Sequence, residues 1–169
     1  MRRRTVLLAV AVLAAGLLVA SLAGASGSKQ SFKADLDGYN EVPAVSSNGF
    51  GTLRATIDDD AQTITYELSY GGLNSAAAFA HIHLGQRNVN GGVAAFLCGG
   101  GDKDACPAGT GAEETVSGVI DAADIIGPAG QGIAPGEFDE LARAIRARVT
   151  YGNVHSSTQP GGEIRDQLH

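Results

Sequence analysis

Alternation of apolar and polar residues marks most of the chain from residue 31 onward as short β-strands. Phe32, Ala34 and Leu36 are apolar and the residues between them are polar, the pattern of a strand that buries one face. Gly, Asn, Asp and Pro residues interrupt the strands at close intervals and predict turns. Alternation, β-propensity and flanking turns together predict further strands at residues 51–57, 63–70, 79–84, 93–97, 115–120 and 162–168.

The period changes once, close to the C-terminal end. Within residues 138–145, four apolar side chains recur at i, i+3, i+4 and i+7, which predicts a short amphipathic helix. From Ile145 to Tyr151 the alternation returns, so we expect the helix to end and a strand to begin near Ala144. Roughly eight strands with one helix before the penultimate strand predict an all-β fold, an antiparallel immunoglobulin-like β-sandwich or a Greek-key barrel.

The first 25 residues have the organisation of an export signal. Basic Arg2–Arg4 precede a long apolar run that ends in small residues at Ala23–Ala25, where a signal peptidase cleaves. An uncleaved membrane anchor is the alternative, because about 17 to 25 apolar residues can span a bilayer. We therefore expect a signal peptide at residues 1–25, a short linker at 26–30 and a folded domain at 31–169, secreted or located in the cell envelope.

The charge balance excludes two classes of partner. The chain has 18 acidic and 12 basic residues, and removal of the signal would take Arg2–Arg4 away and leave nine basic residues. Such an acidic domain, without a basic stripe, is not suited to nucleic acid or to an anionic membrane surface. We expect an extracellular protein or a component of the envelope as partner, and no membrane contact apart from the export signal.

The two cysteines lie close together in a glycine-rich segment. Cys98 and Cys106 are the only cysteines of the chain. In an exported protein, such a pair predicts a disulfide that closes a surface loop. A redox-active pair or a pair of thiolate metal ligands is the alternative.

Three of the four histidines fall on two predicted strands. His81 and His83 are two residues apart and therefore point to the same face of the strand 79–84. His155 likewise shares a face with Asn153. If these strands are neighbours in the sheet, the three imidazoles form one cluster.

One interpretation of this cluster is a metal site. His81, His83 and His155 would supply the imidazole nitrogens that copper and zinc prefer, and Glu163 would be a fourth ligand or would orient a histidine. Two histidines on one strand face and a third on a neighbouring strand form a more specific pattern than a lone histidine. The sequence therefore predicts a candidate metal site at these four residues.

Two other interpretations remain open at this point. The histidines could form a buried hydrogen-bonded network without metal, with Asn153 or Glu163 satisfying imidazole protons and Arg165 paired with a carboxylate. Alternatively, the histidine face could be exposed and recognise another molecule. Measurement of the distances between the imidazoles distinguishes these cases.

Four motifs carry a resemblance to a known family. They are residues 32–43, 80–85, 151–155 and 162–165, and in order and spacing they resemble the CHRD domain, named for chordin. The resemblance implies an immunoglobulin-like β-barrel outside the cytoplasm, in a family whose fold has been likened to copper,zinc superoxide dismutase. Gly152 stands where the family has a β-branched residue, and we expect a β-bulge there.

The comparison with the dismutase does not extend to its activity. His81 and His83 resemble the copper-binding pair of that enzyme, but no histidine lies between Leu84 and Val154 to bridge two metals. No serine or cysteine nucleophile motif is present either. We therefore assign no catalytic residue. We expect a binding or structural module rather than an enzyme. A small copper or zinc protein with redox or hydrolytic chemistry is the alternative.

Overall fold

The computed structural model describes residues 29–169, which form one antiparallel sheet that nearly closes into a barrel. The single α-helix of this part of the chain precedes the penultimate strand, as the sequence predicted. Three short 3-10 helices lie in the connections. The elements are β1 (Gln30–Asp37), β2 (Phe50–Asp58), β3 (Thr63–Gly71), β4 (Ala77–Leu84), β5 (Gly92–Cys98), β6 (Glu114–Ile120), α1 (Phe138–Arg146), β7 (Thr150–Ser156) and β8 (Ile164–Gln167).

The strand order in the sheet is β5-β4-β7-β8-β1-β2-β3-β6. The strands β4 and β7 carry the histidine motifs, and β8 carries part of the motif at residues 162–165. These three strands therefore lie side by side. The two edge strands, β5 and β6, contact each other across the remaining gap, so that most strand edges are covered. The sequence-based prediction that these motifs are adjacent is confirmed.

The helix α1 covers part of the core with its apolar face. Phe138, Leu141 and Ile145 are buried against residues of the strands. The expected boundary near Ala144 was wrong: Ile145 still belongs to the helix, and β7 begins only at Thr150. Alternating residues after Ile145 looked like a strand, but they belong to the last helical turn and to a connection.

Gly152 packs against the interior of the barrel. A Cβ on Gly152 would lie 2.5 Å from Leu53 Cδ2, and Leu53 is fully buried. The pairing of Gly152 with Ile82 and with Asp166 is regular, so the expected bulge is absent at this position of β7. The missing side chain at Gly152 makes room for Leu53 instead.

The predicted disulfide is confirmed, and it closes the loop between β5 and β6. Cys98 and Cys106 are bonded to each other, which excludes a thiolate metal pair. The expected export signal lies outside the described residues. Within residues 29–169, no helix has the length and apolar character that crossing a bilayer requires.

The packing of Leu53 into the space above Gly152 predicts energetic coupling between them. Gly152→Ala should lower the free energy of unfolding by about 1 to 3 kcal/mol because the core is overpacked. Leu53→Ala should lower it by about 2 to 5 kcal/mol because it leaves a cavity. The double variant should be more stable than the sum of these losses predicts, by about 0.5 to 3 kcal/mol, measured by urea denaturation. Simple additivity would contradict the contact.

Candidate functional site

The pairing of β4 with β7 brings the three histidines together. His81 lies opposite Asn153 and Phe79 lies opposite His155, so the histidines occupy neighbouring positions on two adjacent strands. On its other side, β4 pairs with β5 through two irregularities, next to His81 and next to His83. Such bulges change the direction of side chains and are common beside functional sites.

The histidines lie on the outer face of the sheet. Their strand neighbours Ala80, Ile82 and Val154 point into the core, and alternation therefore directs the histidines away from it. The histidines are nevertheless buried, with exposed fractions of 7%, 7% and 9% for His81, His83 and His155. This burial argues against the third interpretation, an exposed recognition surface.

Each of the three histidines offers one ring nitrogen to a common space, and these atoms all lie within 4.8 Å of one another. His83 Nδ1 lies 3.0 Å from the carbonyl oxygen of Gly91. Because a carbonyl only accepts, Nδ1 carries the proton, and Nε2 presents a lone pair. Nε2 of His83 is buried and has no hydrogen-bond partner within the described part of the chain.

His155 is held in the same tautomer. Its Nδ1 lies 2.9 Å from the carbonyl oxygen of Pro160, and its Nε2 lies 3.1 Å from Asn153 Oδ1. Both oxygens are acceptors, and we assign the proton to Nδ1, which makes the shorter contact. In His81, Nδ1 is buried without a hydrogen-bond partner among residues 29–169. A histidine whose second nitrogen is fixed by a backbone carbonyl is a common arrangement of metal ligands.

Burial keeps all three rings neutral. It lowers the pKa of His81 to about 3, with a further contribution from the neighbouring His155 and His83. It lowers the pKa of His83 to about 4 and also lowers the pKa of His155. Neutral imidazole is the form that binds a metal ion. The site is therefore in its ligand-binding protonation state at neutral pH.

A stack of three side chains supports His83 from one side. The rings of His83 and Tyr151 are stacked, with centroids 4.7 Å apart, and the Arg165 guanidinium lies 3.4 Å from the Tyr151 centroid. Arg165 is almost fully buried and donates to the carbonyl of Val89 at 2.8 Å and to Asn90 Oδ1 at 3.0 Å. These hydrogen bonds join Arg165 to the loop before β5, while the charge of Arg165 acts on the carboxylate of Glu41.

Glu163 does not join the histidine group. Its buried carboxylate accepts hydrogen bonds from Ser47 Oγ at 2.5 Å, from the backbone of Asn74 at 2.7 Å and from Ser156 Oγ. These partners belong to three separate segments, and Glu163 connects them. Both of its oxygens accept hydrogen bonds there, and Glu163 does not belong to the group of His81, His83 and His155.

The carboxylate near the site that sequence reasoning missed is Glu41. Only 6% exposed, it has one oxygen, Oε1, that accepts no hydrogen bond among the described residues. Burial raises the pKa of Glu41 to about 6, although the charge of Arg165 and the Asn153 amide act in the opposite direction. Glu41 lies in a turn far from the histidines in sequence, and periodicity gives no signal for it.

Comparison with known families agrees with this architecture. The family model of the CHRD domain matches residues 32–168. The chain belongs to the CHRD domain family. Neither a curated protein nor a solved structure matches the chain. The family match covers both histidine-bearing strands of this CHRD domain, together with the loops that bury them.

The neutral histidines predict a pH-dependent stability of the metal-free CHRD domain. The ordinary histidine pKa is 6.5, whereas His81 and His83 titrate in the folded protein at about 3 and about 4. Below pH 6.5 the unfolded chain therefore binds more protons, and the free energy of unfolding should fall as the pH is lowered. The pKa of Glu41 is raised from 4.5 to about 6 in the folded protein. Between these pH values the folded state binds more protons at Glu41 than the unfolded chain does, which offsets part of the loss of stability.

Urea denaturation at pH 7, 6 and 5 measures this dependence. His81→Gln should flatten the pH dependence, because one shifted group is removed. His169→Gln is the matched control, since His169 is exposed at the chain end. An unchanged slope in His81→Gln would contradict the assignment.

The position of Gly91 predicts that a small substitution uncovers His83. A Cβ on Gly91 would lie 1.6 Å from the carbonyl oxygen of Leu84, so Gly91→Ala must displace the loop whose carbonyl binds His83. We expect a loss of about 1 to 3 kcal/mol in the free energy of unfolding. Gly161→Ala, at a loop glycine with open space around it, is the control. Equal stability of the two variants would contradict this role of the loop.

Proposed function

We propose that this CHRD domain is a binding module that holds one copper or zinc ion through His81, His83 and His155. The observation that carries the proposal is the cluster of three buried histidines, each with one ring nitrogen within 4.8 Å of the others. Within residues 29–169, His81 Nδ1 and His83 Nε2 are buried without a hydrogen-bond partner. A buried polar atom without a partner costs about 1 to 3 kcal/mol. A bound cation would remove this cost, whereas a purely structural network would leave it.

The chemistry of the ligands favours copper or zinc. The group consists of imidazoles, which suit these ions better than the oxygen-preferring magnesium or calcium. Around a tetrahedral ion with bonds of about 2.0 Å, ligand atoms are about 3.3 Å apart. The present limit of 4.8 Å requires small side-chain rotations toward the ion. Backbone carbonyls already hold two of the rings in the required tautomer.

The proposed place of action is outside the cytoplasm, either in secreted form or in the cell envelope. The basic Arg2–Arg4, the apolar run and the small Ala23–Ala25 support export. The acidic composition supports a partner other than nucleic acid, an extracellular protein or an envelope component. The bound ion would then stabilise the module or take part in its binding, and no catalytic residue is assigned.

Metal titration of the purified, chelator-treated protein tests the proposal. Zn²⁺ and Cu²⁺ are added separately, and calorimetry should detect one equivalent of at least one of them. At a free metal concentration of 100 times Kd, the folded state should gain about 2.7 kcal/mol, seen as a higher Tm. His83→Leu should weaken binding about 100-fold or more, since even residues around metal ligands contribute 10- to 100-fold.

The matched control is His169→Leu, which removes an exposed histidine at the chain end and should leave the affinity unchanged. If neither metal gives heat or raises Tm, the proposal fails, and the hydrogen-bonded network is the better description of the cluster. Equal weakening in the His169→Leu variant would show that binding is not specific to the cluster.

A further inference from the structure

The Asn153 amide belongs to the immediate surroundings of the histidine nitrogens. Asn153 lies on β7, is 3% exposed, and its Oδ1 is 3.1 Å from His155 Nε2. Since β4 pairs His81 with Asn153, this amide lies opposite His81 and in contact with His155.

The contact between Asn153 Oδ1 and His155 Nε2 joins two acceptors. With its proton assigned to Nδ1, toward the carbonyl of Pro160, the neutral ring of His155 has no proton on Nε2 to give. Nε2 of His83 is in the same state, because its Nδ1 donates to Gly91. The lone pairs of His155 Nε2 and Asn153 Oδ1 thus face each other, and the ring centroid of His83 lies 6.1 Å from that of His155. Such an arrangement is unfavourable on its own and favourable around a cation.

Glu41 lies on the amino side of the Asn153 amide. A Cβ on Gly162 would lie 2.2 Å from Glu41 Oε1 and 3.0 Å from Asn153 Nδ2, so both atoms lie over the same glycine. The NH₂ group of Asn153 therefore faces the carboxylate side, where Oε1 has a free acceptor position. Rotation of the amide by half a turn would direct its oxygen toward the carboxylate, which is electrostatically unfavourable. Glycine at 162 permits this close approach.

We infer that Asn153 Oδ1 is the fourth ligand of the ion, in addition to His81, His83 and His155. This inference rests on the proposed function. The 3.1 Å between Oδ1 and His155 Nε2 is close to the about 3.3 Å between neighbouring ligands of a tetrahedral ion. The carboxylate of Glu163, expected from sequence as the fourth ligand, is engaged elsewhere.

Substitution of Asn153 tests this ligand. Asn153→Leu has a similar volume and no oxygen, and it should weaken Zn²⁺ binding about 10- to 100-fold. It should also change the visible absorption of the Co²⁺-substituted protein, because the intensity of these bands depends on coordination number and ligand set. Gln167→Leu is the matched control: Gln167 is also a buried amide on this sheet, and its amide donates to backbone oxygens such as that of Gly85. Its affinity and spectrum should match those of the wild type.

The outcomes separate this inference from the proposed function. If the wild-type protein binds no metal, both fail. If the wild type binds but Asn153→Leu has the same affinity and the same Co²⁺ spectrum, the metal site stands and the assignment of Asn153 is overturned. If Asn153→Leu does not fold, the Asn153 Cγ resonance of the wild type decides: it should shift on addition of one equivalent of Zn²⁺, and an unchanged resonance overturns the assignment.

Discussion

Antiparallel pairing of β4 with β7 is the constraint on which the histidine cluster depends. The ladder fixes which residues are opposite one another, and its register places His81 against Asn153 and His83 against Tyr151. A shift of one residue would direct the histidines of one strand into the apolar core and Ile82 or Val154 out of it. The cost of that shift is large because Ile82 and Val154 are fully buried. Core packing therefore secures the geometry of polar side chains on the opposite face.

The outer face of a sheet normally contacts water, and here loops cover it. The segment before β5 binds His83 through Gly91 and is held by Arg165, which lies over Tyr151. The connection between β7 and β8 binds His155 through Pro160. This cover removes water from the imidazoles and lowers their pKa values, so that the rings stay neutral. The site is thus built from a rigid sheet and two ordered loops.

Strand and helix periodicity was sufficient to predict the fold and the meeting of the histidines, because alternation records which face of a strand is buried. It did not predict the helix boundary, since the residues after Ile145 alternate by chance in a connection. It also favoured Glu163 over Glu41 because Glu163 lies on a neighbouring motif. Which carboxylate reaches a site depends on the path of the loops. Gly162 lets Glu41 approach Asn153, but a glycine adds nothing to a pattern of polar and apolar side chains.

The two acceptors that set the histidine tautomers are main-chain carbonyls. Any amino acid supplies such an oxygen, so the identity of residue 160 is free to vary as long as the chain follows the same path. At position 91, the close approach to Leu84 adds a separate demand for glycine. Preorganisation of these imidazoles is consequently encoded in backbone shape, and a search for acidic or amide partners beside each histidine would overlook it in related chains.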